Sequence, residues 1–176
     1  MPKISGVKKA QDRIRAMSGP KQIEFVGKAL FAAGEKIKAE AQISLTTGAV
    51  SGINHKPSAP GSPPKNDSGT LARSIIVTQK GPLHVQVSAN APYAAIHEFG
   101  GTINHPGGTS YFIDEATGLA VFVPDSSVLS LYLPRTKPHT ITMPERPFMG
   151  PAARKVRPEV VKLVGDAVRI AIRGKK

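Results

Sequence analysis

The sequence contains no cysteine and no tryptophan. Without cysteine there are no disulfides and no thiolate metal sites, so the fold must stand on packing or on oligomerisation. Aromatic residues make up only 5% of the chain. No apolar run approaches the roughly 18 residues that mark a membrane helix. The opening MPKISGVKKAQDRIRAM lacks the apolar stretch of a secretory signal, so synthesis in the cytosol is the expectation. The most informative scarcity is of positive charge in one place. Residues 81–134 carry no Lys or Arg at all, against Glu98, Asp114, Glu115 and Asp125.

On either side the balance reverses. Residues 1–80 carry 13 Lys/Arg against 5 acids, and residues 135–176 carry 11 against 3, for a total of +12. A basic surface suggests a polyanion or an acidic protein partner, and its plain alternative is a solvated basic face. The acidic middle adds another option, in which the middle of one copy docks on the basic ends of a neighbour. A chain of 176 residues with 40% hydrophobic content suits one domain with a true core.

Residues 4–17 place Ile4, Val7, Ala10, Ile14 and Met17 near helical spacing. After Ser18-Gly19-Pro20, residues 20–45 form the clearest helix, with Ile23, Val26, Leu30, Ala33, Ile37, Ala41 and Leu45 recurring every three or four positions. Residues 46–69 are mostly Gly, Pro, Ser and Asn, a long loop with room to reach a neighbouring subunit. Period-two alternation on both sides of Lys80-Gly81-Pro82 predicts a hairpin. Two further short strands, Tyr111–Ile113 and Leu119–Val123, flank the turn DEATG. The Pro-punctuated chain beyond them belongs at a sheet edge or in an arm. Residues 150–173 read as a final helix, which Pro158 should kink or split. The expected class is α+β: an antiparallel sheet packed against a long N-terminal helix, with a C-terminal helix and a β-rich insertion at 102–143, all within one domain of residues 1–176.

Three blocks, in order, resemble one family. They are SGTLARSI (68–75), YAAIHEFGG (93–101) and PERPFMGPA (144–152). They are similar to the "TGxLxxSI", "YAxxxEFG" and "xARPFLxPA" blocks of the tail-completion, or virion-morphogenesis, proteins of long-tailed bacteriophages. Glu145 stands where Ala is commoner, and residues 102–143 fill a gap that many relatives bridge in a few residues. The resemblance implies a structural neck protein at the head–tail junction, made in the host bacterial cytoplasm and built into the virion. It implies a homo-oligomeric ring of six or twelve copies beside other neck, portal-side and tail proteins, with no cofactor, no metal and no membrane. Tyr93, Glu98, Phe99, Gly100, Arg146, Pro147 and Phe148 become core or interface anchors. The blocks also make local sense. Gly69 can supply a positive φ before the first strand. Tyr93, Ile96 and Phe99 suit one helical turn packed on the sheet, and Gly100-Gly101 permits a sharp turn. Gly150-Pro151 opens the last helix.

The chemistry-bearing residues point less far. His97-Glu98 starts a zincin motif that Gly101 ends, since the second His is missing. Glu98 is expected to accept backbone N–H bonds or to pair with a neighbour's cation, and His97 to face solvent or an interface. There is no G-x-S-x-G elbow and no phosphate-binding glycine motif. Gly107-Gly108-Thr109-Ser110 could cradle an anion or form an ordinary turn. The five His at 55, 84, 97, 105 and 139 show no metal spacing. Lys3, Lys8, Lys9, Arg13 and Arg15 at the start, with Arg169, Arg173, Lys175 and Lys176 at the end, could touch genomic DNA nonspecifically or meet an acidic partner. Three readings follow in order: a structural ring protein that is not an enzyme, a small basic nonspecific DNA-binding protein, and a hydrolase using His97 and Glu98.

Overall fold

The computed structural model describes residues 6–17 and 19–173. Lys3, Lys175, Lys176 and the side chain of Arg13 lie outside that description. The chain divides into two compact units, Met1–Phe99 with Glu145–Lys176, and Gly100–Pro144. The class is α+β, with helices and small antiparallel sheets.

In the first unit the helix α1 (Val7–Met17) is followed by α2 (Pro20–Thr46). Pro20 sits in the first turn of α2, where its missing N–H removes nothing, and the carbonyl of Gly19 accepts from Gln22 and Ile23. At the helix end the hydroxyls of Thr46 and Thr47 bond back to the carbonyls of Gln42 and Ile43, the latter also accepting from Thr47 N–H. Its buried face follows the expected stripe only at Ala33, Ala41 and Leu45. Gly27, Ala33, Gly34, Ala41 and Leu45 are buried, while Ile23, Val26, Leu30 and Ile37 are only partly covered. The reason is the close approach of the hairpin β1 (Ile75–Gly81) and β2 (His84–Ala89). A Cβ on Gly34 would lie 2.8 Å from Val77 Cγ1, and one on Gly27 would collide with the Pro82 carbonyl oxygen.

A short helix α3 (Thr70–Arg73) leads into β1, entered through Gly69 at φ +83°. A second short helix, α4 (Ala94–Phe99), follows β2. The helix α5 (Met149–Arg173) runs back along α2 and also touches α1. It is continuous through Pro158, so the expected split does not occur. Pro158 is exposed, and Ala152, Val156 and Ala167 bury the other face on both sides of it. Ion pairs Lys36–Glu159 (2.9 Å) and Lys155–Glu40 (2.5 Å) cross between α2 and α5. The core gathers Leu45, Leu71, Ile75, Ala94, Phe148 and Ala152, with Phe148 at 0% exposure.

The 46–69 segment holds one turn of 3-10 helix, Gly52–Asn54, and its hydrogen bonds go to its own unit. Asn66 N–H donates to Leu45 O, the Ser51 hydroxyl to Asp67 O, Gly52 N–H to Asp67 Oδ1, and Gly61 N–H to Glu145 O. The loop is thus closed at its base and doubled back rather than free to extend.

In the second unit there is no shared sheet. β3 (Gly101–His105) pairs with β6 (His139–Met143), and β4 (Ser110–Ile113) with β5 (Ala120–Val123), as two separate antiparallel ribbons. β3 and β6 were not foreseen; β4 and β5 start within a residue of expectation. Asp114 Oδ1 accepts from Ala116 and Thr117 N–H groups to close the turn between β4 and β5. A 3-10 turn, Val128–Leu131, follows, and the Ser110 hydroxyl donates to Ser130 O beneath it. Val123 is the one buried apolar residue of this unit.

Candidate functional site

Glu98, at the end of α4, is the joint between two of the sequence blocks. Its Oε2 accepts from the N–H groups of Phe148 (2.8 Å) and Met149 (2.9 Å), and its Oε1 from Gly150 N–H (2.9 Å). These are N–H groups that the first turn of α5 cannot satisfy internally, and a carboxylate there also meets the positive end of the helix dipole. Gly150 lets the carboxylate close in: a Cβ on it would sit 3.1 Å from Oε1. The main chain beside it is tied as well, with Arg146 N–H donating to His97 O at 2.7 Å. Both carboxylate oxygens therefore accept from backbone donors, two on Oε2 and one on Oε1.

The other anchors separate. Phe148 fills the core. Pro147 is partly buried beside it and holds the extended approach to α5. Phe99, expected to pack on the sheet, is instead 78% exposed, because α4 is so short that Ala94 alone supplies its buried face. Gly100 has φ +65° and Gly101 φ +152°, backbone that L side chains rarely adopt, so both glycines are needed for the turn out of α4.

Tyr93, His97 and Arg146 come together on a pocket of about 220 Å³, entirely within the first unit. Leu45, Pro57, Pro64 and Leu71 give it apolar walls, and His55, Lys65 and Asp67 line it too. Arg146 Nε donates to Ser58 O at 3.1 Å, which points the guanidinium at this wall of the loop. The Tyr93 ring meets His97 edge-on, with centroids 5.7 Å apart. His97 Nδ1 is buried with no hydrogen-bond partner, so this side chain does not simply face solvent. Burial first, and then the Arg146 charge, lower the His97 pKa below the usual imidazole value. No part of the sequence signals this pocket, because residues 55–68 and 146 meet only through the folded loop.

Gly107 and Gly108 do not form an anion cradle. Gly107 N–H donates to His105 Nδ1, Gly108 N–H to Thr136 O, and Thr109 N–H to the Thr136 hydroxyl. Among the described residues no group of three or more His, Cys, Asp or Glu could hold a metal, and no helix is long and apolar enough to cross a membrane. Of the basic cluster, Lys8, Lys9 and Arg15 lie exposed on α1, and Arg169 and Arg173 on α5, the helix α1 touches. Arg169 also pairs with Asp166.

The second unit presents a different kind of surface. Eleven of its large apolar residues are exposed, Phe112, Leu119, Phe122, Leu129, Leu131 and Tyr132 among them, with Tyr132 at 83%. Its charge is near balance, with Asp114, Glu115 and Asp125 against Arg135 and Lys137.

Two family models match, each over more than half of the chain. Residues 8–100 match the bacteriophage HK97-gp10-like family, described as a candidate tail component. Residues 65–169 match the phage virion morphogenesis family. No curated protein and no solved structure matches the chain.

Proposed function

The chain belongs to the HK97-gp10-like and phage virion morphogenesis families, a phage tail or neck component, and from that premise we propose that it is a structural subunit of a ring at the head–tail junction. It acts by geometry and not by catalysis. The helical unit supplies a rigid body, and the 100–144 unit supplies contact surface to a neighbouring subunit, a head-to-tail arrangement that closes into a ring of six or twelve copies. The observation that carries this is the exposed apolar surface of residues 100–144. A 45-residue unit that buries one large apolar side chain and exposes eleven is dressed for a partner and not for water. The three backbone donors held by the Glu98 carboxylate support an architectural reading of His97-Glu98 over a hydrolytic one.

A stop codon early in the gene, followed by electron microscopy of the lysate, tests the proposal. Separate heads and tails, or tails of abnormal length, are expected. Intact infectious particles would overturn a neck role. The DNA-binding reading would then lead, resting on the exposed cations of α1 and α5, and its mark is an affinity that falls steeply with salt.

A further inference from the structure

The pocket at Arg146 holds an unused cation. Arg146 spends its Nε on Ser58 O, and among the described residues its two Nη groups meet no acceptor and no carboxylate pairs with it. Lys65, exposed at the same pocket, has no partner either. Beside them lies the orphaned, buried Nδ1 of His97. Two cations with free donors and apolar walls describe a site for a single carboxylate with its methylenes. The recess is too small for a run of backbone phosphates.

The chain itself carries a matching group. Among the described residues, nine of the twelve acids are engaged in ion pairs or backbone caps, leaving Asp12, Glu115 and Glu145. Asp12 lies on the side of α1, where the width of a helix keeps it from a recess. Glu145 adjoins Arg146 in the chain yet makes no ion pair with it. Glu115 is exposed at the tip of the β4–β5 hairpin, in a turn whose shape Asp114 already fixes. Exposed Ile113 and Leu119 flank it and suit the apolar walls of the pocket.

We propose that the Arg146 pocket of one copy receives the Glu115 carboxylate of a second copy, so that the β4–β5 hairpin is the plug and the loop-lined pocket the socket of the subunit contact. This rests on the ring reading above and specifies its interface.

The absence of native cysteine allows a clean test. Two single-cysteine chains, Glu115→Cys and Lys65→Cys, are supplied together to phage particles assembling without the wild-type chain, and the particles are oxidised. A disulfide between the two variants requires different chains to approach within about 4–7 Å at Cα. A mixed dimer in about tenfold excess over particles carrying either variant alone is the expected result. In parallel, Glu115→Lys is expected to lower particle yield and Lys65→Glu in the same chain to restore it. Copy number per particle, measured by quantitative mass spectrometry, separates the two ways of failing. Several copies with no mixed dimer and no rescue overturn the plug and socket and leave the ring standing. A single copy per particle overturns the ring and this contact with it.

Discussion

The two units of the chain differ in how far they enclose their apolar residues: both expose some, but among the described residues only the helical unit gathers a buried cluster. The helical unit carries 22 Lys/Arg against 9 Asp/Glu, and turns Phe148, Leu45 and Ile75 inward around a face of small residues on α2. The 100–144 unit has a net charge close to zero and turns most of its large apolar residues outward. Two-stranded ribbons have one or two layers of side chains and cannot enclose what they carry. The first unit therefore has a core of its own, and the second leaves most of its large apolar surface uncovered. Stability and assembly should accordingly respond to different residues.

The largest loss of stability is expected from Phe148→Ala, which empties the centre of the core. About 3–5 kcal/mol should be lost, seen as a fall in Tm of roughly 10 °C or more. Glu98→Ala should follow at about 2–3 kcal/mol, since it strips three backbone donors of their acceptor at the start of α5. Amide exchange at Phe148, Met149 and Gly150 should quicken selectively in that variant. Gly34→Val should cost about 1–3 kcal/mol by pressing on Val77 and Val85, read from the midpoint of urea unfolding. On the other unit, Leu131→Ser with Tyr132→Ser should change stability by no more than about 0.5 kcal/mol. It should nonetheless reduce incorporation into particles, and a large drop in Tm instead would break the comparison. The smallest effect is one of pH. His97 has its folded pKa lowered by burial and by Arg146, so the unfolded chain binds the proton more readily. Stability should decline as pH falls from above about 6.5 towards the lowered folded value. His97→Gln should flatten that slope in parallel denaturation curves.

Much of the helical unit was legible in the sequence. The apolar periodicity of residues 20–45, the alternation around Gly81-Pro82 and the stripe of residues 150–173 each mark an element within a residue or two. Local rules failed where the deciding partner lies far along the chain. β3 and β6 are short, hold one isoleucine each at facing positions, and meet across more than thirty residues, so neither shows a pattern by itself. Pro158 reads as a breakpoint because periodicity does not register that helical packing on either side of it can hold the helix together. Phe99 fits an i, i+3, i+6 spacing that a six-residue helix is too short to bury. The blocks around Glu98 and Phe148 can be recognised as strings. That they are one joint, a carboxylate closing on a helix start fifty residues away, emerges only from the fold.

That joint has an evolutionary consequence. Glu98 and the His97–Arg146 backbone bond pin together the two points between which residues 100–144 leave and return. With both ends held, the entropy of closing whatever lies between grows only slowly, by about 0.6 kcal/mol for each doubling of length. The position is a natural cassette, at which the intervening module can be shortened, lengthened or exchanged at small cost to the scaffold that carries it.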